Sequence, residues 1–275
     1  MDIQQLKQSK ILLIGDSCMD VYHYGTCSRL SSEAPVPIFK HIRSEECGGM
    51  AYNVYNNLSN LSNEIHFLTN DQNITKERFI DISSYHHLMR FDRGESAPIK
   101  PMSTNLLKNV DMSKYDGVVI SDYDKGFVSP FAAQRISDEA REHKIPVFVD
   151  SKKRNLSCFE GCIIKINEHE NSNIVSLPDN CELIVTLSER GAKWNGQVFD
   201  AHDNEIDKLS VSSSNRLLAN ANICGAGDTF LSGFVTYYLS TRDMAESIKF
   251  ANICASIAVE NFGTYAVTLE DLENV

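Results

Sequence analysis

The run Asn222-Ile223-Cys224-Gly225-Ala226-Gly227-Asp228-Thr229-Phe230 joins a turn of small residues to an acid and then to an apolar stretch. A turn of this kind at a helix start can offer several free backbone N–H groups to an anion while holding a carboxylate beside them. Gly225 and Gly227 let the chain take left-handed angles and let a phosphate approach the backbone, and Ala226 adds little bulk. Downstream, Phe230, Phe234, Tyr237 and Tyr238 recur at spacings that share one helical face, so the positive end of the helix points at whatever the turn holds. This is equipment for phosphoryl transfer. The same residues also suit an acidic first-turn residue after a plain glycine turn, and the short motif alone does not separate the two readings.

Two further segments offer sites in similar settings. Ile11-Leu12-Leu13-Ile14 has the composition of a buried strand, and Gly15-Asp16-Ser17-Cys18-Met19-Asp20 follows at its carboxyl end, where open α/β sheets bind ligands. Gly48-Gly49-Met50-Ala51-Tyr52-Asn53 opens a helix and sets a glycine pair and an amide where a sugar can be hydrogen-bonded.

The chain resembles the ribokinase or phosphofructokinase-B class of carbohydrate kinases. The segment from Gly48 to Asn53 is similar to the first signature of that class, and the segment from Asn222 to Val235 to the second. Within the class it resembles the kinase domain of bacterial enzymes that phosphorylate D-glycero-D-manno-heptose 7-phosphate on the way to the ADP-heptose of lipopolysaccharide or capsule. Gly15 to Asp20, Ser28 to Pro37, Ser121 to Gly126, Asp150 to Lys152, Asn167 to Glu170, Val185 to Gly191, Phe250 to Asn252 and Phe262 to Thr264 carry the likeness. The chain departs from the pattern at Asn222 and Cys224, where Asp and Thr are usual, and at Tyr55, where a small residue is usual. A helix–strand unit is largely missing between Leu68 and Ile74, and the stretch from Glu170 to Leu183 is short.

The resemblance implies roles. Asp228 becomes the general base for the attacking sugar hydroxyl, with the Gly225-Ala226-Gly227 amides stabilising the transferred phosphoryl group. Asp20, Gly49 and Asn53 become sugar contacts, an acid and an amide together matching a diol. Arg29, Lys125 and Lys152 become the cations for the distal phosphate of a sugar phosphate. ATP and Mg²⁺ are the implied cofactors: Asn167 and Glu170 match an Asn-x-x-Glu motif that places Mg²⁺, with Glu170 reaching it through water. Thr186, Ser188, Gly191 and Asn252 fall on the nucleotide side. For Asn167 and Glu170 the alternative is a helix cap, and for each lysine or arginine a solvated surface charge.

The elements that must hold these residues read as alternating strands and helices. Short apolar runs at Ile11–Ile14, Val118–Ser121, Val147–Asp150, Ile163–Ile166 and Leu183–Leu187 alternate with helical stretches such as Pro130–His143 and the spacing of Met244, Ile248, Ala251, Ala255 and Ala258, the latter stopping at Gly263. That pattern predicts an α/β fold with a doubly wound sheet. Val21–Ile42 and Phe79–Phe91 alternate more like exposed strands; by resemblance they form a small β lid over the sugar and pair in a homodimer. The expectation is one ribokinase-like domain over residues 1–275, with the pathway's nucleotidyltransferase and phosphatase on other polypeptides.

Composition agrees. The 275 residues are 42% hydrophobic, enough for one large core, and the formal net charge of −11 argues against nucleic acid or a basic membrane patch as partner. The eight cysteines lack paired metal-ligand spacing and suit isolated thiols in a reducing compartment. No cleavable signal or membrane-length apolar run is present, so a cytoplasmic protein is expected.

Overall fold

The computed structural model describes residues 6–61, 63–84, 86–97, 99–200, 225–261 and 264–273. Among the described residues, twelve strands fall into two sheets. The main sheet contains β1 (Lys10–Gly15), β4 (Glu64–Thr69), β7 (Gly117–Asp122), β8 (Val147–Ser151), β9 (Ile163–Asn167), β10 (Glu182–Thr186), β11 (Ala192–Trp194) and β12 (Gln197–Phe199). They lie in the order β12-β11-β10-β9-β8-β7-β1-β4. Every pairing from β4 to β10 is parallel, and the last two are antiparallel.

Parallel strands covered on both faces must be apolar on both, and they are. Leu12, Ile14, Val118, Ile120, Val147, Val149, Ile164 and Ile166 pack on one side with Ala132, Ala133, Ile136 and Ala140 of α3 (Pro130–Glu142). Ile11, Leu13, Val119, Phe148, Ile163 and Ile184 pack on the other, with Val54 and Leu58 of α1 (Ala51–Asn60) and Phe230, Leu231, Phe234 and Val235 of α5 (Ala226–Thr241). The helix α6 (Met244–Glu260) crosses α5 closely, because a Cβ on Gly233 would lie 2.8 Å from the Cys254 sulfur. Three shorter helices complete the set described: α2 (Thr104–Lys108), α4 (Glu168–Ser172) and α7 (Leu269–Glu273). The doubly wound sheet expected from the sequence is thus present.

Strand order reverses at β1, which pairs with β4 on one edge and β7 on the other. Such a switch point opens a crevice at the carboxyl ends of the strands. There Asp16, fully buried, accepts hydrogen bonds from the backbone N–H groups of Tyr123, Lys125 and Phe127 at 2.9, 3.3 and 3.1 Å. One carboxylate therefore fixes the loop after β7 against the end of β1.

The second sheet, in the order β3-β2-β5-β6, contains β2 (Ser17–Thr26), β3 (Lys40–Met50), β5 (Thr75–Asp81) and β6 (His86–Arg93). Its strands differ in extent from the sequence expectation. The first begins directly after Asp16, residues 27–39 form the connection between β2 and β3, and β3 runs through Gly48 and Gly49, which the sequence reads as the opening of a helix. After β4 the chain passes straight into β5 of the other sheet, which leaves β4 as the edge of the main sheet. Tyr55 and Tyr52 pack on Phe67 of that edge, at ring separations of 5.6 and 6.0 Å, while Tyr115 stacks on His66. The tyrosine that departs from the usual pattern supplies aromatic cover where the chain is short.

Candidate active site

The turn before α5 has the form that anion binding needs. Gly225 is left-handed at φ 97°, and no side chain caps the helix, so the first-turn N–H groups at Ala226, Gly227 and Asp228 lack intrahelical acceptors. A Cβ at Gly225 would fall 2.8 Å from the Asn53 amide nitrogen, and one at Gly227 would fall 2.9 Å from the Lys165 ammonium. Both glycines therefore make room for neighbouring site residues. Asn222 and Cys224 lie outside the described residues.

Asp228 is 6% exposed and is gripped by two donors: Asn53 Nδ2 reaches its Oδ2 at 2.9 Å and the Tyr123 hydroxyl its Oδ1 at 2.8 Å. Burial raises its pKa above the ordinary aspartate range; the hydrogen bond from Asn53 opposes that rise, the Asp150 charge adds to it, and Lys165 and Tyr123 oppose it. The result is a desolvated carboxylate of heightened basicity beside a turn of free N–H groups. Asn53, expected to face a diol, spends its amide on that carboxylate, and Asn57 Nδ2 donates to Asn53 Oδ1 at 3.3 Å. Its position is set by α1, where Asn53, Val54 and Asn57 are buried. Tyr123 stands in a motif that the sequence singles out, but no role follows from its residue type alone.

Behind the turn runs a chain of alternating charges on the ends of β8 and β9. Lys165 Nζ bonds Asp150 Oδ2 at 2.7 Å, Lys152 Nζ bonds Asp150 Oδ1 at 3.2 Å, and Lys152 reaches Glu170 Oε1 at 2.5 Å. Burial pushes the Asp150 carboxyl up, but Lys165 and Lys152 outweigh it and hold its pKa below the usual value. Lys152 shows the reverse balance, lowered by burial and raised on balance by Asp150 and Glu170. Its ammonium lies 5.5 Å from the centre of the Tyr123 ring. Lys152, expected at a distal sugar phosphate, thus joins the Asp228 end of the site, because two carboxylates hold it there. Losing one partner of a buried pair such as Lys165–Asp150 typically costs about 3–5 kcal/mol.

Asn167 and Glu170 form a reciprocal capping box at the start of α4: Asn167 Oδ1 accepts from the Glu170 N–H and Glu170 Oε2 from the Asn167 N–H, both at 2.8 Å. The cap foreseen as the alternative is therefore formed. Each Glu170 oxygen already has a partner, and no group of three or more potential metal-ligating side chains occurs among the described residues. This donor set fits a magnesium ion that keeps its waters and touches protein through them, not a protein-built cage.

Thr186 pairs with Asn167 across β10 and β9, and its hydroxyl donates to the Ile166 carbonyl at 3.3 Å. Ser188 and Gly191, both with positive φ, shape the turn that follows and keep it beside the capping box. Asn252, also expected on the nucleotide side, donates its buried amide to the backbone carbonyls of Phe199 and Asp200, at 3.0 and 3.4 Å, and ties down the end of β12.

The second sheet supplies the other end. Asp20, 4% exposed, pairs with Arg78 at 2.6 Å, and a Cβ at Gly49 would strike Asp20 Oδ2 at 2.2 Å. Glu95 bridges Lys76 and Lys125 at 3.3 and 3.1 Å. Burial raises the Glu95 pKa, yet the two lysines leave it below the ordinary value. Asp20, Lys76, Arg78 and Glu95 act on the Cys18 thiol, which burial chiefly pushes up to about 12. On the next strand, Cys47 contacts the Thr264 hydroxyl at 3.0 Å, and Thr264 in turn flanks Gly225. The two ends of the site therefore meet. Lys76 and Arg78 were not foreseen, since an alternating charged strand reads as solvated surface. Arg29 is exposed in the connection beyond Thr26, about 20 Å along the strand from Asp20 at ~3.3 Å per residue. It is not placed with Lys125 or Lys152.

A profile described as "pfkB family carbohydrate kinase" matches residues 69–271, well over half of the chain. The curated protein "Bifunctional protein HldE" of Aliarcobacter butzleri is 28% identical over 97% of this chain and 64% of its own length, and the protein of the same name from Pasteurella multocida is 28% identical over 98% and 64%. The chain thus spans a little under two thirds of the length of these relatives. Among solved structures, phosphofructokinase-2 from Escherichia coli in complex with potassium superposes with a TM-score of 0.69 at 15% identity, covering 98% of each chain. Arabidopsis thaliana ribokinase, complexed with ribose and ATP, superposes with a TM-score of 0.64 at 12% identity over 97% of this chain and 98% of its own. At those identities the superpositions speak to the fold: the doubly wound architecture is ribokinase-like.

Proposed function

This chain belongs to the pfkB family of carbohydrate kinases, and from that premise we propose that it uses ATP to phosphorylate the anomeric hydroxyl of D-glycero-D-manno-heptose 7-phosphate, giving the 1,7-bisphosphate. Phosphoryl transfer to a sugar hydroxyl is the activity of the family. The observation that supports a sugar already carrying a phosphate is the cluster of Lys76, Arg78 and Lys125 around Asp20 and Glu95, three cations against two carboxylates at the end of the site away from Lys165. Charge-assisted contacts of this kind lose most of their value when the distal phosphate is absent. The likeness to the HldE proteins supports the same sugar.

In this reading Asp20 and Gly49 face the sugar, Asp228 takes the proton of its hydroxyl, and Asn53 and Tyr123 hold Asp228 in line. Free N–H groups at Gly225, Ala226 and Gly227 receive the transferred phosphoryl group. Magnesium, held through water near Glu170 and Asn167, would neutralise charge on the nucleotide phosphates. Thr186, Ser188 and Gly191 line the nucleotide side. The small sheet acts as a lid over the sugar. Its exposed Met89 and Phe91, whose neighbours on β5 are Phe79 and Glu77, support its pairing with a second copy in a homodimer. No helix among the described residues is long and apolar enough to cross a membrane. A cytoplasmic setting suits the reaction, with the nucleotidyl transfer and dephosphorylation that follow it in the pathway performed by other active sites.

An ADP-release assay across heptose 7-phosphate, unphosphorylated heptose, fructose phosphates and ribose tests the substrate. The expected result is far higher kcat/KM for heptose 7-phosphate than for heptose; equal values for the two would leave a general sugar kinase.

A further inference from the structure

A lysine inside an apolar strand demands a reason, and Lys165 stands between Ile164 and Ile166 in β9, only 3% exposed. Its ammonium makes one ion pair among the described residues, with Asp150 at 2.7 Å, although an ammonium has three donors to place. It also presses against the anion turn: the position of a Gly227 Cβ lies 2.9 Å from Nζ, so a side chain at 227 would displace the ammonium. It further acts to lower the pKa of the neighbouring Asp228. A buried cation is thus lodged directly under the N–H groups that face a transferred phosphoryl group.

We infer that Lys165 is a catalytic residue, the cation that takes up the negative charge of the phosphoryl group as it crosses from ATP to the sugar. In the step the sugar oxygen forms a bond to the γ-phosphorus and the bond from that phosphorus to the β,γ-bridging oxygen breaks. The electron pair leaves with ADP, and the hydroxyl proton passes to Asp228. Charge gathers on the phosphoryl oxygens in the transition state, and a desolvated ammonium already in place stabilises it without reorganisation. Asp150 holds Lys165 in place through one carboxylate oxygen and Lys152 through the other.

The proposal rests on the kinase reading, and its test separates the two. Lys165→Met and the doubly neutral Lys165→Met/Asp150→Asn, which leaves no unpaired buried carboxylate, are compared with wild type in thermal unfolding, turnover, and affinity for ADP and for ADP–aluminium fluoride, a mimic of the phosphoryl group in flight. Expected is a loss of about 100-fold or more in turnover, with KM for ATP and affinity for ADP changed less than about threefold and the tighter binding of the fluoroaluminate complex abolished. Lys165→Arg should recover part of that binding. Turnover within a few-fold of wild type in either folded variant, or equal losses for ADP and its fluoroaluminate complex, overturns the role. A wild-type enzyme silent on heptose 7-phosphate would overturn the proposed sugar alone, because the fluoroaluminate comparison needs no sugar.

Discussion

The two sheets handle charge in opposite ways. At the site end of the main sheet, Lys165, Asp150 and Asp228 are buried, and Lys165 is held on Asp150 in a short contact. In the small sheet, Arg78 and Asp20 are buried as a pair, but the outer strand β6 is exposed throughout. A preorganised, low-dielectric end suits a transition state that is the same for every sugar. The more open end suits recognition, where a hydrated contact discriminates without having to be rigid. On the proposed reading, the reaction and the choice of sugar are carried by separate parts of the fold.

If that division is real, the largest effect must come from the buried end. Asp228→Asn should lower turnover by at least ~100-fold while nucleotide affinity stays nearly constant, as loss of a general base requires. Near-normal turnover, read by ADP release, would remove Asp228 from the chemistry. Substitutions at the open end should act on KM instead. Lys76→Met or Lys125→Met should raise KM for heptose 7-phosphate by roughly tenfold, leave kcat within a factor of a few, and narrow the preference over heptose. A fall in kcat with unchanged KM would break the comparison.

Tyr123→Phe should cost less, about fivefold in kcat, because the base survives without one of its two donors. Its clearer sign is in pH. Asp228 must be ionised to accept a proton, so activity falls as pH falls through its pKa, and burial places that limb above the ordinary aspartate value of about 3.9. The Tyr123 hydroxyl stabilises the carboxylate, so its removal should shift the limb of kcat/KM to still higher pH. A shift to lower pH would contradict the geometry. The smallest effect is expected at the connection between β2 and β3, where Arg29→Ala should change KM less than about twofold, within the ±0.5 kcal/mol usual for a surface change. A large rise would mean that this loop reaches the site of a second copy.

The sequence showed the buried end better than the open one, for a physical reason. Strands covered on both faces announce themselves as apolar runs, and β1, β7, β8, β9, β10 and α3 follow from such signals, whereas the Gly-Ala-Gly-Asp turn gained its reading only from its family likeness. The ends of β2 and β3 were less legible, because Gly48 and Gly49 read as part of a helix start although they end β3 and Gly49 leaves room for Asp20. Lys165 did leave a trace, a charge in the middle of Ile163-Ile164-Lys165-Ile166, but only the packed structure reveals Gly227 and Asp150 around it. Arg29 and Lys152 show the converse. A cation in a suggestive motif carries no address: Lys152 is claimed by Asp150 of its own motif and by Glu170 of α4, and Arg29 lies exposed in the connection after β2.

Asp16 bears on how such a molecule can change over generations. One carboxylate holds the N–H groups of both Tyr123, whose hydroxyl donates to Asp228, and Lys125, which pairs with Glu95. A mutation that shifts this loop to suit a new sugar would also disturb the base, so natural variants should rarely change specificity there. The route left open is the small sheet, whose strands can vary in length and charge while the loop after β7 stays still. New sugars would then be adopted by altering β5 and β6, with Asp16 acting as a brake on the rest.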